Sequence, residues 1–152
     1  IMHMKNKSIK RICCTIISTI TIMGTALGVS ADTADKLYTF SLYTSEANTG
    51  SYYKDNSSSV YVNPTMSPAN GVQFAGYRYD GATWYNETIG GWAYIAAGTK
   101  RRLRTNIYEN AGYKRTLCRL SGKLLSGGSP YEGKIARGYW SPDTAGSYPA
   151  AN

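Results

Sequence analysis

Apolar and polar residues alternate along most of the chain after residue 31. In the range 36–44, for example, Tyr38, Phe40 and Leu42 occupy every second position, with Thr39 and Ser41 between them. This period of two places alternate side chains on opposite faces of a strand, one buried and one wet. No segment after residue 31 shows a convincing 3.6-residue period, so the pattern predicts an all-β domain.

Turn signals divide this pattern into about eight short strands. Pro64 is expected to end the second strand because proline cannot donate to a ladder, and Asp80-Gly81 is a hairpin signal. The predicted strands cover residues 36–44, 58–62, 72–79, 83–88, 92–96, 100–109, 113–121 and 134–140, and residues 45–59 are expected to form a long surface loop. Short strands of mixed length with long loops predict a single antiparallel β-sandwich rather than a regular barrel.

The apolar positions of these strands define a predicted core. All 14 Tyr, all three Trp and both Phe lie after residue 31, a composition that favours β structure. The predicted core residues are Phe40, Leu42, Val60, Val62, Val72, Phe74, Trp92, Leu103, Ile107, Leu117, Ile135 and Trp140.

The range 100–121 is predicted to form a basic hairpin, and it holds more than half of the basic residues of the domain. Its turn would be residues 109–112, where Asn and Gly tolerate positive φ; a helix over residues 100–107 is the competing interpretation. The candidate site for an anionic ligand is a patch of four cations with interleaved tyrosines: Arg102, Arg104, Tyr108, Tyr113, Lys114 and Arg115. The alternative is that these charges only protect a solvated edge strand against aggregation.

The first 31 residues have the pattern of a signal peptide. Lys5, Lys7, Lys10 and Arg11 precede an apolar run over residues 12–29, and small residues lead to Ala31. This pattern predicts an apolar leader helix, cleavage near Ala31, and a secreted domain over residues 32–152. A membrane anchor is the alternative, because 18 residues approach a spanning length.

The residue types after the leader limit the chemistry that the domain can perform. The one His, His3, precedes it, which excludes His-based catalytic triads and His-based zinc sites from residues 32–152. We therefore expect no enzyme activity and no cofactor or metal, although Glu109, Glu132 and Asp143 stand beside aromatic residues, as glycosidase carboxylates do. Cys118 is expected to be a buried hydrophobe, or else a reactive thiol.

The positive charge of the domain is mild. Four of the 17 basic residues precede residue 32, whereas all nine acidic residues lie within residues 32–152, which leaves that range a net charge of +4. This charge does not call for a nucleic acid partner. It is compatible with an anionic cell-wall polymer or a membrane surface.

Several segments of the chain resemble a known family. They are the 32–35 lead-in (Asp-Thr-Ala-Asp), the strand over residues 58–62, the range 107–113 and the ending Trp140-Ser141-Pro142-Asp143 with residues 147–149. Together they resemble small secreted proteins of Gram-positive bacteria, domain of unknown function 2712. The resemblance implies secretion and a single domain, and it brings no catalytic residues.

Two classes of function follow from these observations. The first is a non-catalytic secreted or envelope-associated binding or structural protein that uses the basic, tyrosine-rich hairpin. The second is a secreted antimicrobial or toxin-like protein, suggested by the small size, leader, positive charge and glycine-rich aromatic composition.

Overall fold

The computed structural model describes residues 31–152, so the predicted leader lies outside the described residues apart from Ala31. The described chain forms β1 (Lys36–Leu42), β2 (Ala47–Asn48), β3 (Tyr52–Lys54), β4 (Val60–Met66), β5 (Val72–Tyr79), β6 (Trp84–Asn86), β7 (Ala93–Tyr94), β8 (Arg101–Leu103), α1 (Ile107–Asn110), β9 (Thr116–Leu124) and β10 (Lys134–Ser141).

Two antiparallel sheets pack against each other, which confirms the predicted β-sandwich. One sheet has the strand order β1-β10-β4-β8. The other has the order β2-β9-β5-β6; β3 also pairs with β9, and β7 also pairs with β5. The longest ladder of the second sheet joins β5 and β9, whose side chains alternate between the core and the outer face.

The core lies between the two sheets. Phe40 of β1 packs directly on Gly122 of β9, where a Cβ would lie 2.6 Å from the Phe40 ring. The ring of Phe74 meets that of Tyr38 edge-on, with centroids 5.8 Å apart. Most of the predicted core is buried, namely Phe40, Leu42, Val60, Val62, Val72, Phe74, Leu103, Ile107 and Trp140.

Three predicted core residues lie elsewhere. Ile135 is 39% exposed, because the inward position of β10 is taken by the neighbouring Ala136. Leu117 precedes the buried Cys118 and so faces outward, partly exposed. Trp92 lies just before β7 and packs on the outer face of its sheet. The size of an apolar side chain was therefore not enough to predict which side of these strands faces the core.

Two predicted boundaries were also wrong. Residues 45–59 are not one loop, because β2 and β3 lie in it and pair with β9. Pro64 does not end its strand: β4 continues to Met66, and the register with β10 shifts at Gly138, opposite Pro64. Proline is tolerated at such a bulge because the ladder is already interrupted there.

Candidate functional site

The predicted basic hairpin does not form. Its first arm is β8, which pairs with β4 in the four-stranded sheet, and its second arm is β9, which pairs with β5 in the other sheet. Residues 107–110 between them form α1 instead of a strand. The six residues of the predicted patch are therefore not joined by one hairpin.

Arg102 and Arg104 are both exposed, as predicted, and lie at the edge formed by β8. The carboxyl-terminal residues cover this edge: the Arg102 N–H donates to the Pro149 carbonyl at 3.0 Å, and Ala151 N–H donates to the Arg102 carbonyl at 2.9 Å. Arg104 Nε donates to the Asn152 carbonyl at 2.6 Å. The edge strand is thus protected by paired backbone as well as by charge.

The other four residues of the predicted patch lie in or after α1. Tyr108 and Tyr113 meet edge-on at 6.1 Å, and Tyr113 is 69% exposed with a left-handed φ of 57°. Lys114 is exposed. Arg115 lies 4.0 Å from the Tyr53 ring centroid, and its Nε forms an ion pair with Asp55 at 2.9 Å. Part of the predicted positive charge is therefore already neutralised within the domain.

A different group of residues combines aromatic rings with cations, and we call it the aromatic–cationic face. It lies on the outer face of the six-stranded sheet. Tyr77 of β5 lies opposite Arg119 of β9, and Tyr79 lies opposite Trp84 of β6, so these side chains share one face. Its members are Tyr77, Tyr79, Trp84, Trp92, Arg119 and Lys123.

The cations of this face lie over its rings. The Arg119 guanidinium carbon is 4.2 Å from the Trp84 ring centroid and 5.5 Å from that of Tyr77. Lys123 Nζ is 4.3 Å from the Trp92 ring centroid. Such contacts hold a cation in place without neutralising its charge, because a ring offers a quadrupole and not a counter-ion.

The two cations of the face are not in direct ion pairs within residues 31–152, although the Glu46 carboxylate acts on Arg119 from a longer distance. Neither Arg119 nor Lys123 forms an ion pair with a carboxylate of residues 31–152. The nearby acid, Glu46, accepts a hydrogen bond from the Tyr77 hydroxyl at 3.1 Å. Burial, and to a smaller extent the nearby Glu46 carboxylate, raises the pKa of Tyr77 to about 12, so the phenol stays protonated at neutral pH. Burial lowers the pKa of Arg119, and Glu46 and Tyr77 oppose that shift.

This arrangement suits an extended ligand better than an enclosed one. A cavity of about 270 Å³ borders Lys123, and another of about 210 Å³ lies between Tyr61, Tyr148 and Lys100. Both are smaller than the usual range of roughly 300–1,000 Å³ for small-molecule pockets. The four rings are half-buried, and the part of each ring that stays exposed can accept an apolar surface such as that of a sugar ring, while arginine pairs with phosphate or carboxylate oxygens.

Sequence reasoning did not find this face. The signal for it was present in the spacing: Tyr77 and Tyr79 are two apart, and Arg119 and Lys123 are four apart, so each pair falls on one side of its strand. Tyr52 and Tyr53 are adjacent in the sequence but do not belong to this face. The structure separates that pair, because Tyr53 lies beside Arg115 while Tyr52 packs edge-on against the buried Trp140 at 5.8 Å.

A buried ion pair lies near the start of the described chain. Asp143 and Lys54 are both fully buried, and Asp143 Oδ1 is 2.8 Å from Lys54 Nζ. Lys54 also donates to the carbonyls of Ser58 and Pro142. The other oxygen, Asp143 Oδ2, accepts the backbone N–H groups of Asp32 at 3.0 Å and Asp55 at 3.1 Å. Asp143, one of the three acids beside aromatic residues, thus holds separate segments of the chain together.

Residues 31–152 contain neither a metal-binding cluster nor a membrane-spanning helix. In that range no group of three or more His, Cys, Asp or Glu side chains is placed to hold a metal ion. The short helix of the described chain is not long and apolar enough to cross a membrane.

Comparison with known families gives one result. The model of a family described as protein of unknown function (DUF2712) matches residues 25–144, a range that includes both sheets and Asp143. No curated protein and no solved structure matches the chain significantly. Since the match extends over most of the sequence, the chain belongs to the DUF2712 family.

Proposed function

We propose that this member of the DUF2712 family is an exported, non-catalytic protein that binds an anionic polymer of a Gram-positive cell envelope through its aromatic–cationic face. The observation that carries the proposal is the placement of Arg119 and Lys123 over indole rings without carboxylate partners. A polymer that carries both phosphate and sugar groups, such as a glycosylated teichoic acid, offers both of the surfaces that this face complements. The leader-like pattern of residues 5–31 supports export.

The ligand-binding surface is assigned to a face of the six-stranded sheet, and not to the hairpin that the sequence predicted. In the predicted patch, Arg115 is paired with Asp55 and Arg104 is bound to a carbonyl. In the aromatic–cationic face, two cations and three rings are held side by side on paired strands, and the fourth ring, Trp92, lies just before β7. Side chains fixed by a sheet lose less entropy on binding than side chains on a mobile loop, which favours the sheet face.

Cosedimentation with purified Gram-positive walls, with and without their teichoic acid, tests this function. Binding is expected to need the teichoic acid and to weaken as salt rises from about 0.05 to 0.5 M, because exposed charges are screened over about 10 Å at 0.1 M. The double variant Arg119→Gln/Lys123→Gln is expected to bind roughly 10- to 100-fold more weakly, since a hydrogen bond to a charged group contributes about 1.5–3 kcal/mol.

The matched control removes the same charge from the other sheet. Arg102 and Arg137 are exposed on the four-stranded sheet, and Arg102→Gln/Arg137→Gln should bind like the parent. If this control loses binding and the Arg119/Lys123 variant does not, the aromatic–cationic face is not the binding surface. Equal binding to walls stripped of teichoic acid would exclude the polymer, and binding to anionic lipid vesicles alone would assign the face to a membrane surface.

Two measurements test the rest of the proposal. Mass spectrometry of the culture medium should find a chain that begins at Asp32, and a cell-bound chain that retains residues 5–29 would contradict export. A growth-inhibition assay with the same purified protein addresses the antimicrobial alternative: inhibition that is lost in the Arg119→Gln/Lys123→Gln variant would favour that alternative over passive binding.

A further inference from the structure

We infer that the buried carboxylate of Asp143 binds the α-ammonium group that cleavage after Ala31 creates at Asp32. The inference rests on the export and processing included in the proposed function, but it concerns a different part of the molecule. The expected cleavage point and the buried carboxylate were identified independently, the first from the leader pattern and the second from the fold.

The position of Asp32 is fixed by two backbone contacts with Asp143. The Asp32 nitrogen donates to Asp143 Oδ2 at 3.0 Å, and the Asp143 N–H donates to the Asp32 carbonyl at 3.1 Å. Asp143 is fully buried, whereas Asp32 is only partly buried. One N–H of a new amino group would therefore point at the carboxylate, and its other two would remain in contact with water.

Processing changes the charge at this contact, and it also removes the Ala31 carbonyl, which accepts the Thr33 N–H at 3.0 Å. Water hydrolyses the peptide bond between Ala31 and Asp32 in the active site of a signal peptidase; the Ala31 carboxylate leaves with the leader, and the Asp32 amine takes up a proton. A neutral amide donor 3.0 Å from Asp143 Oδ2 thus becomes a cation at the same place. Hydrogen bonds between a cation and a carboxylate are roughly twice as strong as neutral ones.

Positively and negatively charged groups both surround the contact between Asp32 and Asp143. Asp143 Oδ1 is paired with Lys54, the Asp32 carboxylate is paired with Lys36 at 2.7 Å, and Asp55 is paired with Arg115. The Cys118 thiol also faces this region, and its pKa is raised to about 12 by burial. The new ammonium faces Asp143 Oδ2, whose other partner is the neutral N–H of Asp55.

The test compares two forms of the processed chain, residues 32–152, which contain both sheets and the whole core. One form has a free amino group at Asp32, and the other is acetylated there, so that it keeps an N–H donor but carries no charge. At pH 6.5 the unfolding equilibrium constant of the free form should be roughly fivefold lower, from the extra stabilisation of about 1 kcal/mol when a hydrogen-bond partner is charged.

The difference in stability between the free and the acetylated form should decrease as pH rises. Pairing raises the pKa of a folded-state ammonium above its unfolded value of about 7.7–8.0. The extra stability is therefore complete below that value and disappears as pH rises through the folded pKa. The acetyl carbonyl can accept the Thr33 N–H as the Ala31 carbonyl does, but that contribution does not change with pH. All other titratable groups are identical in the two forms, so the pH dependence of their difference isolates the Asp32 amino group.

Either of two results with the parent sequence would overturn the inference. Equal stability of the free and acetylated forms at pH 6.5 is one, and an α-amino pKa in the folded protein at or below about 7.7, measured by NMR titration, is the other. In the Asp143→Asn background the difference between the two forms should vanish, and its persistence would also refute the assignment. If that variant does not fold, the NMR titration of the parent decides. Loss of wall binding would not affect these measurements, so the two proposals fail separately.

Discussion

Replacing Lys54 with Met is expected to destabilise the domain by about 3–5 kcal/mol, because the change leaves the buried Asp143 carboxylate without its counter-ion. Three acceptors lose a donor at once: Asp143 Oδ1 at 2.8 Å, the Pro142 carbonyl at 2.9 Å and the Ser58 carbonyl. Met keeps nearly the same side-chain volume, so the loss reports on charge and hydrogen bonding and not on a cavity.

Urea unfolding followed by fluorescence measures this loss, since Trp140 is fully buried and will report on the core. With an m-value of about 1.5–2 kcal/mol/M for a domain of this size, the unfolding midpoint should fall by about 1.5–3 M. A native domain has roughly 5–15 kcal/mol of stability in total, so the variant retains only part of it.

Two further variants separate the ion pair from other effects. Lys114→Met makes the same substitution at an exposed residue and should leave the midpoint unchanged. Lys54→Met/Asp143→Asn removes both charges while the amide oxygen can still accept the N–H groups of Asp32 and Asp55, and should recover much of the stability. If Lys54→Met unfolds at the same urea concentration as Lys114→Met, the pair does not hold these segments together.

Two other predictions follow from the packing of β9. Gly122→Ala should lower the free energy of unfolding by about 1–3 kcal/mol, because its Cβ would overlap the Phe40 ring, whereas Gly50→Ala, which meets no atom closer than 3.8 Å, should be neutral in the same urea titration. Cys118 should not react with a thiol reagent at pH 8 until the protein is unfolded, because the thiol is buried and its raised pKa keeps it protonated; labelling of the native protein at the rate of free cysteine would contradict this.

The fold class could be predicted from the sequence because the period-2 pattern is local. The strand over residues 72–79 was predicted at its observed bounds, and the alternation of Leu103, Thr105 and Ile107 correctly marked buried positions even where the backbone turns into α1. However, the alternation of apolar and polar residues shows which face of a strand is buried, and it does not show which strand pairs with it. The segments 100–109 and 113–121 are adjacent in sequence, yet each has a better hydrophobic partner in a different sheet.

The candidate site was missed for the same reason. Arg119 and Trp84 are far apart in sequence and become neighbours only because β5 lies between β6 and β9. Lys54 was assigned to a loop, since nothing in its local sequence indicates that it meets Asp143, 89 positions away. Such pairings depend on strand order, which residue types and local spacing do not encode.

The pairing of the first strand with the last has a consequence for the way the domain is made. Lys36 lies opposite Trp140, and the whole of β1 rests on β10. A chain that emerges with its amino end first must therefore leave the backbone N–H and C=O groups of β1 without their ladder partner until nearly all of the domain has emerged. Contacts this distant in sequence form slowly, because a long loop must close before they stabilise anything. The four-stranded sheet thus closes as a late step, and no shorter amino-terminal fragment can complete it.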